Sequence, residues 1–211
     1  MKVFVVGSTG RVAEKLLEIL SQAGHEVLAG ARRPEAVVKL NHVTPVLFDL
    51  HDSVDQLAEQ LGQAQAIIFV AGSRGKDLLQ TDAFGAVKVI QAAEKRGIKR
   101  FIMLSSLFAL EPERWEHPGF ASLKDYNVAK FFADNYLITD TNLDYTIVQP
   151  GALKEEAATG KIQVISDQFG NISIPDLAQV LAELLAYPNT ISKVIKLISG
   201  DQAISEALSE V

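Results

Sequence analysis

The chain has 211 residues and a formal net charge of −6 at pH 7, which suits one α/β domain and argues against a general surface for nucleic acid or anionic membranes. It contains no cysteine, so disulfides, thiolate metal sites and cysteine nucleophiles are excluded; its four histidines lack the spacing of metal ligands, and we expect no metal. The chain opens on an apolar strand without a leader-like pattern, and no apolar run is long enough to span a bilayer, so we expect a soluble cytoplasmic protein.

The first predicted strand, residues 2–6, leads into a turn that contains glycine and then into a helical pattern. Gly7 permits the tight turn, Gly10 lets the backbone approach phosphates, and Ala13 stands where a small residue lets the helix pack on the strand. Backbone N–H groups at such a helix N-terminus bind pyrophosphate. In this strand–turn–helix context we predict a dinucleotide-binding turn, and the alternative is an ordinary βα turn. The predicted cofactor-binding residues here are Gly7, Ser8, Thr9, Gly10, Arg11 and Val12.

The second predicted strand, residues 26–30, is followed by Arg32 and Arg33. An NAD site usually has a carboxylate here for the ribose 2′-hydroxyl, and none occurs before Glu35. Because guanidinium groups pair with phosphate in bidentate fashion, the two arginines favour a 2′-phosphate. The sequence therefore predicts NADP (NADPH) in preference to NAD. The alternative is that both arginines are solvated surface residues.

Five further apolar runs alternate with helical patterns, at residues 44–48, 66–70, 100–105, 145–148 and 193–198. Continuous apolar runs are typical of strands buried on both faces, and their alternation with helices predicts a Rossmann-like α/β fold. We expect a doubly wound parallel sheet of about seven strands with helices on both faces, a three-layer sandwich. Such sheets bind ligands at the carboxyl ends of their strands. The predicted nucleotide-binding residues after the third and fourth strands are Asp49, Leu50, Ala71 and Gly72.

Two segments interrupt this alternation on the expected ligand side of the sheet. Residues 110–123 form a polar loop that contains prolines, and residues 151–171 are weakly patterned. Long loops at this edge are usually functional. We expect one NAD(P)-binding domain over residues 1–211, with a small substrate-side segment at about 151–192. The aromatic residues of the first loop form either a substrate wall or ordinary packing; they are Phe108, Trp115 and Phe120.

Tyr126 and Lys130 are four residues apart at the start of a predicted helix, so they project from one face. A neighbouring ammonium favours the ionised form of a phenol and eases proton transfer, and a lysine can also hold the ribose hydroxyls of a cofactor. A hydroxyl at the end of the fifth strand, from Ser105 or Ser106, would orient a substrate carbonyl. The Tyr-x-x-x-Lys pattern is common on solvated helices, but its position after the fifth strand of a nucleotide-binding sheet favours catalysis.

Together these motifs resemble an atypical short-chain dehydrogenase/reductase. The subgroup is the small NAD(P)-binding type that includes NmrA-like, biliverdin reductase B-like and NADH-flavin-reductase-like proteins. The resemblance rests on the motifs above, on Gln149-Pro150-Gly151 and on the late run from Ile174 to Ala178, and covers essentially the whole chain. It implies a seven-stranded Rossmann-like sheet, a nicotinamide cofactor and Ser/Tyr/Lys chemistry. The implied residues are Ser106, Tyr126 and Lys130 for catalysis, and Ser105, Lys130, Pro150 and Gly151 at the cofactor.

The chain departs from the pattern of this subgroup in two places and leaves a third ambiguous. Ala13 replaces the third glycine of the fingerprint, which is a mild change. Gln149 stands where the subgroup commonly has an arginine, which puts an ionic contact there in doubt. An alignment with biliverdin-reductase-like proteins assigns the catalytic hydroxyl to Ser106, whereas an alignment with sugar-nucleotide epimerases puts Leu107 at that position. We favour Ser106, with Ser105 supporting the end of the strand.

The sequence therefore predicts an NAD(P)H-dependent oxidoreductase that reduces a small carbonyl, quinone or flavin-like acceptor. The main alternative is an NmrA-like sensor that binds the dinucleotide without turnover, but such a sensor has no need of Tyr126. A sugar-nucleotide epimerase or dehydratase is the least favoured, because only about 60 residues follow Gly151. The expected partner is a small-molecule substrate, and the resemblance allows either a monomer or a homodimer.

Overall fold

The computed structural model describes residues 1–120, 122–165 and 167–211. The strands are β1 (Lys2–Val6), β2 (Glu26–Ala31), β3 (Val43–Leu47), β4 (Ala66–Phe69), β5 (Arg100–Leu104), β6 (Asp144–Pro150), β7 (Ala152–Lys154), β8 (Lys161–Val164), β9 (Asn171–Ser173), β10 (Lys193–Ser199) and β11 (Gln202–Ala203). The α-helices are α1 (Arg11–Gln22), α2 (Val54–Leu61), α3 (Phe84–Arg96), α4 (Lys124–Thr139), α5 (Ile174–Glu183) and α6 (Ile204–Ser209). A π-helical stretch, Leu78–Ala83, leads into α3.

The seven predicted strands are all present, with ends that differ from the expected ones by two residues or fewer. They lie side by side in the order β3-β2-β1-β4-β5-β6-β10, and every neighbouring pair is parallel. This arrangement confirms the doubly wound Rossmann-like sheet.

The expected strand count was wrong, because the described part of the main sheet has nine strands. β8 pairs antiparallel with β10, and β11 pairs antiparallel with β8. In β8 only Ile162 is buried, so this short strand lacks the continuous apolar run that is typical of strands buried on both faces. β7 and β9 form a separate parallel pair; β7 lies within the weakly patterned segment, residues 151–171, and β9 begins at its last residue.

Two apolar layers cover the two faces of the sheet. Alternate residues of β1 point to opposite faces: Val3 and Val5 pack with α1, α5 and α6, whereas Phe4 and Val6 pack with α2, α3 and α4. Burial of these layers removes apolar surface from water and is the main force that holds the three-layer arrangement. No helix within the described residues is both long and apolar enough to cross a membrane.

The strand order reverses at β1. From β1 the chain adds β2 and β3 on one side of the sheet and then continues with β4, β5 and β6 on the other side. The connections that leave β1 and β4 therefore run to opposite sides and open a crevice at the carboxyl ends of these strands. The glycine turn follows β1, and Ala71 and Gly72 follow β4, so the fold brings these predicted residues to the crevice.

Candidate active site

The glycine turn is tied to the sheet through its own backbone. The N–H groups of Gly7 and Ser8 both donate to Gly30 O at 3.0 Å, and Gly10 N donates to Gly7 O at 3.1 Å. Ser8 Oγ donates to Val5 O at 2.8 Å, in a buried position. These donors therefore shape the turn, and Ser8 contributes its backbone rather than an exposed hydroxyl.

The N-terminus of α1, which follows the glycine turn, has no side-chain cap. Its cap residue, Gly10, has no side chain to occupy the first-turn N–H groups, whereas the serine hydroxyls of Ser53 and Ser173 cap α2 and α5. First-turn N–H groups have no partner within their own helix, so those of α1 can donate to a pyrophosphate. This uncapped helix end fits a dinucleotide. Arg11, the first residue of α1, forms an exposed ion pair with Glu155 of the substrate-side segment at 2.8 Å.

The residues after β4 lie directly against the glycine turn. A Cβ atom added to Gly7 would lie 2.6 Å from Ala71 Cα, so only glycine allows this approach. Beyond Gly72, Ser73 N donates to both carboxylate oxygens of Asp82, at 3.3 and 3.0 Å. Asp82 is fully buried in the π-helical stretch and fixes this loop, a role that the sequence pattern did not indicate.

Ionisable residues gather beyond the carboxyl ends of β2, β3 and β4. Arg32 and Arg33 are exposed after β2. Burial raises the pKa of Asp49, but hydrogen bonds from His51 and the positive charges of His51 and Arg32 outweigh it and hold this pKa below its usual value. His51 links Asp49 to Asp77, at 2.9 and 3.0 Å. The structure thus brings Arg32 and Asp49, both predicted site residues, to one edge of the crevice.

Tyr126 and Lys130 lie one turn apart on α4, as predicted. Lys130 Nζ is 5.6 Å from the centre of the Tyr126 ring and donates to Leu104 O, at the end of β5, at 3.2 Å. Lys130 is only 1% exposed, whereas Tyr126 is half-buried. The pair therefore stands at the carboxyl end of β5, with the ammonium inside and the phenol ring partly open to solvent.

The two serines after β5 have different partners on the same helix. Ser105 Oγ donates to Asp134 Oδ2 at 2.5 Å, deep in the core. Ser106 Oγ donates to Asn127 Oδ1 at 2.8 Å. Asn127 is the residue directly after Tyr126, so of the two serines Ser106 is the one bonded to a neighbour of the phenol in the chain.

Asp134 lies one turn beyond Lys130 on the buried face of α4. Burial raises its pKa to about 6, against the opposing effects of the Ser105 hydrogen bond, the charge of Lys130 and the Gln149 hydrogen bond. Gln149 Nε2 donates to Asp134 Oδ2 at 3.3 Å. The contact between residue 149 and Asp134 is therefore a hydrogen bond from a neutral amide and not an ion pair.

Asp134 should make the stability of the fold depend on pH. Its pKa is raised in the folded state from 3.8 to about 6, so the folded protein binds this proton more tightly than the unfolded chain does. Its stabilising contribution is therefore complete below about pH 4 and is lost as the pH rises through about 6, to a total of about 3 kcal/mol. Urea denaturation at about pH 4 and pH 7.5 measures the free energy of unfolding of the wild type and of Asp134→Asn. Between these two pH values the wild type should lose about this amount of stability relative to the variant. Asp125→Asn, an exposed change on the same helix, should show no such movement; a pH-independent difference for Asp134→Asn would contradict the argument.

Gly151, the residue directly after β6, makes a close backbone contact that requires glycine. A Cβ atom on Gly151 would lie 2.4 Å from Gly170 O, and Gly151 N donates to Leu197 O at 2.9 Å. The Pro150–Gly151 corner therefore anchors the substrate-side segment against the main sheet.

The aromatic residues after β5 are mainly packing residues. Phe108, Trp115 and Phe120 are all buried. Phe108 packs with Phe120 at 6.2 Å and with Phe169 at 5.2 Å between ring centres. Phe169, which was not predicted as part of this cluster, is 41% exposed and is the member of the cluster that reaches the protein surface. The two substrate-side segments are thus joined by aromatic contacts.

Comparison with known proteins shows relatives that match this chain over its full length. A family model described as NAD(P)H-binding matches residues 7–188. The crystal structure of the oxidoreductase ylbE from Lactococcus lactis is 50% identical, with a TM-score of 0.98 over 100% of this chain and 96% of that chain. ChuY, an anaerobillin reductase from Escherichia coli, is 29% identical, with a TM-score of 0.82 over 95% and 98% of the two chains. A Bacillus subtilis protein named uncharacterized sugar epimerase YhfK is 36% identical over the full length of both chains.

Proposed function

Because this chain belongs to the family of NAD(P)H-binding proteins, we propose that it is an oxidoreductase that uses NADPH in preference to NADH. Its acceptor is a small carbonyl, quinone or flavin-like molecule. The observation that carries this proposal is the buried Lys130 ammonium beside Tyr126 at the end of β5. The names of two similar proteins, an oxidoreductase and a reductase, support the same class of reaction.

The cofactor would be held by groups on both sides of the crevice. The open first turn of α1 would bind the pyrophosphate, and Gly7 and Ala71 would allow its close approach. Arg32 and Arg33 would pair with the 2′-phosphate. Lys130 would hold the ribose hydroxyls of the nicotinamide half. When bound in its reduced form, the nicotinamide supplies the hydride for the reaction.

The chain itself supplies the proton and the orientation of the acceptor. Tyr126 donates a proton from its hydroxyl to the acceptor oxygen that receives negative charge, and Lys130 stabilises the phenolate that remains. Ser106 orients the acceptor oxygen by a hydrogen bond. Because Ser106 and Lys130 are at most 9% exposed, water competes weakly for these interactions.

Fluorescence titration with NADPH, followed by an NADPH-oxidation assay with quinones, free flavins and small aldehydes, tests this function. We expect binding of NADPH and turnover with at least one class of acceptor. Binding without turnover of any acceptor would contradict the enzyme and favour a dinucleotide sensor. Failure to bind either dinucleotide would contradict both.

Arg32→Ala should remove most of the preference for NADPH over NADH. A charged pair with a phosphate contributes about 1.5–3 kcal/mol, so the affinity for NADPH should fall about 10- to 100-fold while that for NADH changes little. Titration of both dinucleotides into the variant measures this effect. Lys39→Ala removes a positive charge from another exposed position before β3 and should leave the ratio unchanged. Equal affinities of the wild type for the two dinucleotides would overturn the predicted preference.

A further inference from the structure

Ser106 and Asn127 form a buried pair next to Tyr126. Ser106 is 9% exposed, Asn127 is fully buried, and their side chains share one hydrogen bond of 2.8 Å. Within the part of the chain that the structure describes, Asn127 Nδ2 has no hydrogen-bond partner. A buried N–H group without an acceptor destabilises the fold, so this amide requires an explanation.

A count of hydrogens shows a conflict between this pair and the role proposed for Ser106. A serine hydroxyl has one hydrogen to donate. Here Ser106 donates it to Asn127 Oδ1, so it is not available to an acceptor oxygen. A half-turn of the Asn127 amide would exchange its oxygen and nitrogen. Nδ2 would then donate to Ser106 Oγ, which would satisfy the buried N–H group and release the hydroxyl hydrogen.

The partner of Ser105 gives a useful contrast. Ser105 donates to Asp134, and an ionised carboxylate only accepts hydrogen bonds, so it holds that serine in the donor role. An amide carries both an acceptor and a donor. The backbone of Asn127 is fixed within α4, where its N–H group donates to Leu123 O at 2.7 Å. Only the side-chain amide therefore has to turn.

We propose that Asn127 is a positioning residue that acts through Ser106: its amide turns when an acceptor binds, donates to Ser106 Oγ and frees the hydroxyl hydrogen for the acceptor oxygen. This inference rests on the proposed function, because it takes Ser106 as the group that orients the acceptor. No bond to carbon is made or broken in this step, and only hydrogen-bond partners are exchanged.

Asn127→Asp is the sharpest kinetic test, because an ionised aspartate can accept the Ser106 hydrogen but cannot donate in return. With menadione as the quinone, kcat/KM at about pH 8 should fall about 10- to 100-fold relative to the wild type. The reason is that the charge-assisted hydrogen bond from Ser106 to the new carboxylate competes with the hydrogen bond from Ser106 to the acceptor oxygen. Activity should recover as the pH falls and the new carboxyl becomes protonated. Asn135→Asp adds the same charge at an exposed position of α4 and should keep the wild-type profile.

A double-mutant cycle with Ser106→Ala separates this role from a general effect of charge. If Asn127 acts through Ser106, Asn127→Asp should cause no further loss in the Ser106→Ala background. A loss of the same size in both backgrounds would overturn the proposal, because the carboxylate would then act on other groups such as Tyr126 or Lys130.

A direct readout that needs no turnover is the side-chain amide signal of Asn127. The chain has six asparagines, so ¹⁵N-asparagine labelling gives a simple spectrum in which Asn127→Leu assigns the signal. Addition of menadione to the complex with NADP⁺ should shift this signal in the wild type and leave it unchanged in Ser106→Ala. An unshifted signal at saturating menadione would overturn the inference. A wild type that oxidises no NADPH with any acceptor would instead overturn the proposed function, and this inference with it.

Discussion

Tyr126→Phe should lower kcat for acceptor reduction about 10²- to 10⁴-fold, the usual range for loss of a positioned proton donor. The phenol is the group on the active face of α4 that is partly open to solvent, and the Lys130 ammonium lies 5.6 Å from its ring centre. Removal of the hydroxyl leaves the ring packing in place. The affinity for NADPH should therefore stay within about twofold of the wild type, since groups on other elements hold most of the cofactor.

Tyr136→Phe is the matched control for this change. Tyr136 lies on the same helix, is half-buried, and accepts a hydrogen bond from Gln91 at 3.1 Å. Its loss should cost a little stability and no catalysis. Steady-state kinetics with NADPH and a quinone, together with NADPH titration, measure both variants. Full activity of Tyr126→Phe would mean that hydride transfer proceeds without a proton from the protein.

The fold was predictable from sequence where burial leaves a strong pattern. Six of the seven predicted strands are largely buried, whereas β3, at the edge of the sheet, has no buried residue; all seven were found within two residues of their ends. β8 and β11 escaped prediction because they are short and bury little apolar surface: in β8 a single residue, Ile162, is buried, and β11 has only two residues. Short strands of this kind are held by tertiary contacts, which no short sequence pattern encodes.

The candidate site was predictable where chemistry follows a motif, and less so where a polar residue serves another residue. Tyr126 and Lys130 meet at the spacing that the helix dictates. Asp134 continues the same face, four residues beyond Lys130, and a polar residue at that helical position was an available signal. Asn127 and Asp82 gave no comparable signal, because their importance lies in long-range partners, Ser106 and Ser73.

Gly7→Ala should destabilise the fold by about 2–5 kcal/mol and abolish most dinucleotide binding. Gly7 has a φ of +91°, a conformation that L side chains adopt at a cost of about 1–2 kcal/mol. The added Cβ would also lie 2.6 Å from Ala71 Cα and 2.7 Å from Ala71 N. Because both contacts are to backbone, β1 and β4 would have to move apart at the point where the crevice forms.

Gly24→Ala isolates the cost of the backbone angle from the cost of the contact. Gly24 has a φ of +75°, and an added Cβ there would meet nothing within 4 Å. Urea denaturation should therefore show a loss of about 1–2 kcal/mol for Gly24→Ala and a clearly larger loss for Gly7→Ala. Equal losses would show that Ala71 yields without cost and that the turn does not depend on this contact.

Gly10→Ala keeps the test informative if Gly7→Ala fails to fold. Gly10 has an ordinary φ of −85°, and an added Cβ would come no closer than 3.3 Å to Gly7 O, so the fold should lose only about 1 kcal/mol. The methyl group would nevertheless stand at the uncapped end of α1, where a pyrophosphate must approach the N–H groups closely. NADPH affinity should fall at least about tenfold while the denaturation midpoint changes little. Unchanged affinity in this variant would mean that the phosphates do not approach α1 at this point, and the glycine turn would then be a structural feature of the sheet alone.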